Sequence, residues 1–234
     1  MISHATTVGR RLSNEDTIAV GETENGWYHS FVGVFDGHGG DEVSNMCRDR
    51  LAETLKSTGY DLRKTILQLH ENTRTMSLGC GSTAVVGLIG KTSIRIACAG
   101  DSSAFIVTSA GETIRLTRMH LASDPQESAN ISASGGSVQM VRGVARVDGS
   151  LMVTRSIGDR YIPSVNHVPE IVQVPRSKDY RWAVFVTDGV TDVLEDRTIG
   201  KIVYESDGNP SALVQRAYDG MSMDNCTAVV VDLA

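Results

Sequence analysis

The chain has 234 residues, of which 41% are hydrophobic and 21% charged, an ordinary composition for a globular protein with a substantial core. Its formal net charge of -6 argues against a surface that binds nucleic acid or a membrane. No apolar run approaches the ~20 residues of a membrane span, and the N-terminal segment lacks the pattern of a signal peptide. We find no repeat or linker and expect one domain, 1–234.

The four cysteines are scattered, with no Cys-x-x-Cys pair and no zinc-like spacing. They are Cys47, Cys80, Cys98 and Cys226. None has an arginine at the sixth following position, so the phosphatase chemistry that uses a cysteine loop has no nucleophile here. We expect a reducing, intracellular setting, the cytoplasm, with the nucleus left open.

The first third of the chain predicts short strands and two helices. Strands are predicted at 2–8, 18–20 and 28–35. Asp41 and Glu42 suit the N-terminus of a helix with one apolar face, and Asp61 is the predicted N-cap of the next helix. Two successive helices between strand regions predict a helical layer packed on a sheet.

From Gly81 onward the pattern changes to short strands. Runs at 82–89, 93–99, 103–107 and 112–117 predict a meander of antiparallel strands. After a polar segment with one short helix near 125–132, further strands are predicted near 138–141, 144–147 and 151–154. A polar insert, 155–169, precedes a strand at 182–187, helices near 196–204 and from Asn209-Pro210, and a last strand at 226–233.

The stretch from Phe31 to Gly40 predicts an acid and an imidazole on one tight turn. The apolar run ends in Asp36, and His38 follows one glycine later. Gly37 lets the backbone approach a ligand closely, so that its carbonyl could serve as an oxygen donor. Taken alone, the pattern fits equally well a turn in which Asp36 caps the following helix.

Other acids also lie beside apolar runs, as Asp36 does. They are Glu15, Asp16, Asp101, Asp188 and Asp224. Any one of them alone is better explained as a turn cap, but together they would repel one another strongly without a compensating charge. Hard divalent cations supply that charge, and an all-oxygen ligand set indicates magnesium or manganese over zinc.

Short motifs around these acids follow one another in a fixed order along the chain. Arg11-x-x-x-Glu15-Asp16 precedes Val34-Phe-Asp-Gly-His-Gly-Gly40, Gly81-Ser-Thr-Ala84 and Ala99-Gly-Asp-Ser102. Gly135-Gly136, the segment Arg146–Asp159, Thr187-Asp-Gly-Val-Thr-Asp192 and Asp224-Asn225 follow. Over nearly its whole length the chain resembles the type 2C family of metal-dependent protein serine/threonine phosphatases. The resemblance implies an α+β fold of four layers, αββα: a central antiparallel β-sandwich flanked by helix pairs, with a flap near 119–146.

The resemblance also implies a metal centre with two Mg²⁺ or Mn²⁺ ions per chain. Asp36 would bridge both ions, Asp188 and Asp224 would hold one, and Glu15 with the Gly37 carbonyl would hold the other. Asp16 would contact metal waters, and Asn225 would lie just outside the ligands. Asp101 and Asp192 match positions that the family uses for a third, weaker ion.

The implied reaction is hydrolysis of phosphoserine and phosphothreonine in proteins by in-line attack of a water that bridges the two metals. Arg11 would hold the phosphate with its planar fork, and His38 would protonate the leaving alkoxide. The expected partners are phosphoprotein substrates, without nucleic acid or membrane, and a monomer is expected. His4, His29, His70, His120 and His167 are expected to be surface or structural residues.

Three departures from the family pattern fall outside the metal ligands. Ser103 stands where an arginine is common, Met119 where an aspartate precedes the histidine, and Asn130 where an arginine precedes the isoleucine. All three leave the implied metal ligands intact. They leave the form of the flap and its substrate preference open.

Two alternatives remain at this point. A haloacid-dehalogenase-type phosphatase needs a second acid two residues after its nucleophile, where this chain has His38, and alternating strands and helices, which 81–117 lacks. A non-catalytic scaffold on the same fold would be expected to lack metal ligands, and none is missing. Metal-dependent release of phosphate from a phosphopeptide separates these classes.

Overall fold

The computed structural model describes residues 1–76 and 79–234. Its strands are β1 (Ile2–Thr7), β2 (Asp16–Glu22), β3 (Tyr28–His38), β4 (Gly81–Ser82), β5 (Ala84–Gly90), β6 (Ser93–Ala99), β7 (Ser103–Thr108), β8 (Thr113–Arg115), β9 (Val138–Val141), β10 (Val144–Val147), β11 (Ile157–Gly158), β12 (Glu170–Pro175), β13 (Tyr180–Val186) and β14 (Cys226–Asp232). Its helices are α1 (Glu42–Ser57), α2 (Leu62–Asn72), α3 (Pro125–Ala133), α4 (Asp188–Thr191), α5 (Asp196–Glu205) and α6 (Pro210–Asp219), with a 3₁₀ turn at Thr73–Thr75. None of the described helices is long and apolar enough to cross a membrane.

Two antiparallel sheets form the centre of the fold. The first has the strand order β1-β14-β13-β7-β8. The second runs β11-β4-β3-β5-β6-β12, and β2 pairs with the free side of β3. Since all pairings within both sheets are antiparallel across the described residues, the fold does not have the alternating parallel architecture that the dehalogenase alternative requires.

Alternation of side chains along the strands builds the layers. In β3, Val32 and Val34 join a core between the sheets that includes Phe185 of β13. Phe35, the next residue after Val34, faces the opposite side and packs with residues of α1 and α2. In the other sheet Val184 likewise faces α5 and α6. Both faces of each sheet are therefore buried, which explains the uninterrupted apolar runs and confirms the predicted αββα architecture.

The helix ends follow the predicted capping residues in two places. The Asp61 side chain accepts a hydrogen bond from the Lys64 amide at 3.1 Å, which starts α2. The Asn209 side chain accepts one from the Ser211 amide at 3.0 Å, and Pro210 occupies the first turn of α6. Each cap satisfies one of the amides that a helix start leaves without a partner.

The predicted tight turn at Asp36–His38 is wrong. Strand β3 continues through His38, because Gly37 and His38 pair with Ser82 and Gly81 of β4. The chain turns only at the next two residues, Gly39 and Gly40, whose φ angles are 70° and 126°. Glycine tolerates these positive φ values without the steric cost that a side chain brings.

The predicted meander between residues 82 and 117 is also only partly right. Strands β5 and β6 pair in one sheet, whereas β7 and β8 pair in the other. The chain crosses between the sheets at Gly100, where φ is 110° and an added Cβ would lie 2.6 Å from Thr83 Cβ. No strand forms at 151–154, where a strand was predicted; Leu151 and Val153 form only isolated β-bridges. The sequence analysis did not predict β12.

Residues around α3 and the hairpin β9–β10 build a separate unit beside the sandwich. The hairpin pairs with neither sheet. It rests instead on a small core of Ala122, Ile131, Val147, Ile162 and Val165. The segment predicted as a flap, 119–146, therefore packs on a small core of its own. That it acts as a flap stays a prediction.

A buried carboxylate ties α3 to the body of the protein. Glu127, whose side chain is 1% exposed, accepts hydrogen bonds from both sides of the Arg155 fork, at 2.6 and 3.0 Å. Thr154 Oγ1 donates at 2.7 Å and Arg118 at 3.0 Å. Burial alone would raise the pKa of Glu127, but the hydrogen bonds from Arg155 and Thr154 outweigh it and lower the pKa to about 2.

We expect Glu127→Gln to lower the free energy of unfolding by about 3 kcal/mol at neutral pH, because it leaves Arg155 without its counter-charge. The pKa of Glu127 lies below its unfolded value of 4.5, so its contribution is present above that value and is lost as the pH falls towards 2. Urea denaturation at a series of pH values should show the difference between the two proteins shrinking from about pH 4.5 downward and vanishing near pH 2. Glu53→Gln, at an exposed pair, is the control; a pH-independent difference would contradict the assignment.

Candidate active site

The predicted acids meet at one end of the sandwich, where strands of both sheets terminate. Asp16 and Asp36 are direct partners across β2 and β3. Asp188 begins α4 just after β13, and Asp224 precedes the neighbouring strand β14. Thr187 Oγ1 donates a 3.0 Å hydrogen bond to Asp16, which links the ends of the two sheets. The acids are brought together because the two sheets are packed face to face.

A cleft of about 350 Å³ opens over these strand ends. Most of the predicted site residues line it: Arg11, Glu15, Asp36, Gly37, His38, Asp101, Asp188, Asp224 and Asn225. Asp16 lies buried beneath it, and Asp192 is exposed at the end of α4, outside the lining. A larger groove of about 780 Å³, beside Trp27 and Val231, lies away from this acid cluster.

Backbone contacts hold Glu15 against the end of β3. Its carbonyl accepts hydrogen bonds from the Gly37 amide at 3.2 Å and from Ser44 Oγ at 2.6 Å. Its carboxylate accepts one from the Gly40 amide at 3.3 Å. A Cβ on Gly37 would lie 2.6 Å from the Glu15 carbonyl oxygen, so this approach requires glycine.

Asn225 fixes the loop that carries Arg11 and Glu15. Its Oδ1 accepts from the Glu15 amide at 2.9 Å, and its Nδ2 donates to the carbonyls of Val8 and Ser13, each at 2.9 Å. All of its polar side-chain atoms thus hold the 8–15 loop beside the acids. The sequence analysis did not predict this bracing role.

The carboxylates raise one another's pKa values. Burial, followed by the charge of Asp188, raises the pKa of Asp36 well above its usual range. Burial also raises the pKa of Asp16 to about 7 and that of Asp188 to about 6, and it raises the pKa of Asp101 strongly. Without cations, these carboxyl groups therefore keep their protons up to a higher pH than isolated carboxyl groups do.

The donor set fits hard divalent cations. Oδ1 of Asp188 is buried and has no hydrogen-bond partner among the described residues, and a buried carboxylate oxygen of this kind needs a positive partner. The surrounding acids offer only oxygen, as magnesium and manganese prefer. Among residues 1–76 and 79–234, no group of three or more acidic, histidine or cysteine side chains is arranged so that it could hold a metal ion in this conformation. Asp224 instead pairs with Arg11, at 2.6 Å.

His38 has a partner that the sequence did not reveal. Its Nε2 lies 2.8 Å from Oδ2 of Asp159, which is fully buried and also accepts from Ser156 Oγ at 2.5 Å. A Cβ on Gly81 would come within 2.1 Å of the Asp159 carboxylate, so glycine is needed beside the pair. Asp159 is the last residue of the motif segment Arg146–Asp159, so the sequence marked it as a candidate. Its spacing from His38 along the chain could not show that the two side chains meet.

Arg11 is more than half exposed at the mouth of the cleft. Its Nε donates to the Met223 carbonyl at 3.0 Å while Nη2 engages Asp224. Arg146, a second cation that the sequence analysis did not assign, also lines the cleft and donates to the Ser150 carbonyl at 2.5 Å. Two guanidinium groups therefore border the acids.

The other histidines lie apart from the acid cluster. His70 and His167 stack with ring centroids 3.5 Å apart, and burial lowers the pKa of both. His120 is buried, with Nε2 lying 3.3 Å from Glu170.

Comparisons with known proteins agree on one family. A family model described as protein phosphatase 2C matches residues 7–219. Protein phosphatase 2C 50 of Oryza sativa subsp. japonica is 32% identical over 86% of this chain and 68% of its own length. Protein phosphatase 2C 37 of Arabidopsis thaliana is 30% identical over 99% of this chain and 71% of its own length. This chain spans 59% of a further rice relative, probable protein phosphatase 2C 49.

Solved structures share the fold. A C. elegans sex determining protein has a TM-score of 0.91 and 27% identity over 100% of this chain and 65% of that chain. A serine-threonine phosphatase 2C from Toxoplasma gondii has a TM-score of 0.87 and 20% identity over 99% of this chain and 94% of that chain. At 20% identity the second likeness concerns the fold alone.

We expect Asp36→Asn to stabilise the protein in the presence of a chelator, because a neutral amide replaces a carboxyl group whose ionisation is opposed by burial and by the neighbouring acids. The folded pKa of Asp36 is raised above its unfolded value of 3.8, so its contribution is complete below 3.8 and is lost as the pH rises. The variant should therefore melt about 3 °C or more above the wild type at pH 8 and converge with it near pH 4.

Thermal unfolding with and without magnesium measures this effect. Magnesium should raise the melting temperature of the wild type and have much less effect on the variant. Asp49→Asn, at an exposed position on α1, is the control. A variant that melts below the wild type in chelator at pH 8 would show that Asp36 is not held under repulsion.

Proposed function

The chain belongs to the protein phosphatase 2C family, and from this membership we propose that it hydrolyses phosphoserine and phosphothreonine in proteins in a metal-dependent reaction. The observation that carries the proposal is Oδ1 of Asp188, which is buried and has no hydrogen-bond partner among the described residues, in a cluster of carboxyl groups beside the His38–Asp159 pair. Such a cluster is costly to a fold unless cations neutralise it. Its physiological substrates are phosphoproteins.

The acids would hold two ions. Asp36 would be a ligand in both sites, Asp188 and Asp224 would complete one site, and Glu15 with the Gly37 carbonyl would complete the other. When bound, magnesium or manganese supplies a water of lowered pKa and neutralises charge on the phosphoryl group. A third, weaker ion would be held by Asp101 and Asp192; the charge of Asp192 acts on both Asp101 and Asp188.

Arg11 and His38 would act on the phosphate ester itself. Arg11 would leave Asp224 when a cation takes its place there, and its planar fork would then hold phosphate oxygens. His38 would give a proton to the departing serine or threonine oxygen. Since Asp159 engages Nε2, Nδ1 is the atom that would carry this proton, and Asp159 would act by orienting the ring.

The first test is release of phosphate from a phosphoserine peptide. The wild type should be active with magnesium or manganese and silent in excess chelator, and Asp188→Asn should lose turnover because it removes charge that the cations require. Asp179→Asn, at an exposed position, is the control. Full turnover in chelator, or a phosphorylated Asp36 trapped by acid quench, would overturn the proposal.

The second test separates proton donation from structure. A general acid contributes about 10²–10⁴ in rate, but only where the leaving group needs a proton. His38→Gln should therefore slow phosphoserine peptide far more than nitrophenyl phosphate, whose phenolate leaves as a stable anion. The measurement is kcat for both substrates at saturating metal.

Asp159→Asn should show the same dependence on the leaving group, with a smaller loss, because His38 stays in place but is oriented less well. Calorimetric metal titrations should be little changed in both variants. Equal losses on both substrates would show that the pair shapes the site and does not move a proton.

A further inference from the structure

An apolar groove lies beside the cleft, and we call it the flap groove. It is formed by the start of α3, the hairpin β9–β10 and the segment before α3, and it encloses about 540 Å³. Its principal wall residues are Leu121, Pro125, Val138, Met140, Val144 and Met152. The volume is in the range of sites that hold a side chain or a small ligand.

The walls of the flap groove are apolar and open to solvent. Met140 is 69% exposed, Met152 41% and Val144 37%. No charged side chain is found among the residues that line the groove. Converging exposed apolar side chains mark binding surfaces, and methionine adapts its shape to different partners.

The flap groove is continuous with the cleft over the acids. Met152 lines both of them, and its neighbours Leu151 and Val153 line the cleft. Across the hairpin strand β10, Ala145 lines the groove and Arg146 lines the cleft. An extended chain advances about 3.3–3.6 Å per residue, so a peptide seated in the cleft reaches the groove within a few residues.

We propose that the flap groove binds an apolar side chain of the phosphoprotein substrate, a few residues away from the phosphorylated serine or threonine. This inference rests on the proposed function. A leucine, isoleucine, methionine or phenylalanine gains by leaving water for the groove. A charged side chain would be desolvated there without a partner, so the site disfavours acidic and basic residues at that position. The groove would thus add sequence selectivity to a cleft that holds the phosphate.

A series of phosphopeptides tests the inference. Each peptide carries one central phosphoserine in an otherwise alanine-rich, equally charged background, with a single leucine moved from four residues before it to four residues after. We expect kcat/KM of the wild type to rise about tenfold at one or two neighbouring leucine positions. The gain should appear mainly in KM, because the contact is the same in the ground and transition states.

Variants assign the gain to the groove. Met140→Asp and Val144→Asp, both at exposed positions, should bring the leucine-to-alanine ratio of kcat/KM close to one, whereas Met140→Leu should keep it. Ile114→Asp, at an exposed apolar position of β8 that does not line the groove, should also keep it. The ratio is measured within each variant, so a general loss of activity does not imitate the effect.

The outcomes separate this inference from the proposed function. Metal-dependent turnover of all peptides at equal rates would overturn the groove and leave the phosphatase standing. No turnover of any peptide would overturn the proposed function and the inference with it. A wild-type dimer in sedimentation that Met140→Asp dissociates would show that a second copy of the chain covers the groove, and it would also overturn the inference.

Discussion

Repulsion among buried carboxyl groups is the constraint on which the rest of this structure depends. Asp16 and Asp36 face each other across one strand pair, and Asp188 approaches them from the other sheet. Burial, and after it the charges of the neighbouring acids, raises the pKa values of Asp16, Asp36 and Asp188, so ionising these groups without cations is costly. The fold tolerates that cost because the strands bearing the acids are fixed by apolar packing on both faces.

Hydrogen bonds position the elements around the acids. Both polar atoms of the Asn225 side chain form hydrogen bonds with the loop that carries Glu15. Gly37 has no side chain, so this loop can lie against β3. Asp159 holds the imidazole of His38 from behind and is itself held by Ser156. Positioning by buried hydrogen bonds preorganises a site, so that ligand binding does not have to order these groups.

The flap unit combines a rigid anchor with an adaptable surface. Glu127 and Arg155 fasten α3 to the sandwich through a buried, bidentate ion pair. On the outer side the same unit presents Met140 and Val144 to solvent, next to the cleft. The ion pair fixes the position of the unit, and the flexible methionine side chain can adapt to different peptides. Such a surface can select among peptides without changing the geometry of the acids.

The sequence alone determined much of this protein. Apolar runs with strand-like composition located most strands, Asp61 and Asn209 marked helix starts, and the order of motifs around Asp36, Asp188 and Asp224 indicated the family and the candidate ligands. These signals are local, because strand periodicity, caps and glycine-bounded acids are all written within a few residues.

Only the tertiary structure decided which distant residues meet. The partner of His38 is Asp159, more than a hundred positions away, and no spacing rule identifies such a contact. Likewise β6 and β7 are neighbours in sequence but belong to different sheets, because the chain crosses at Gly100. The flap groove and the exposed position of Asp192 also depend on packing between elements. Composition and periodicity indicate whether a segment forms a helix or a strand. The face that it buries, and the element that it packs against, depend on the fold of the whole chain.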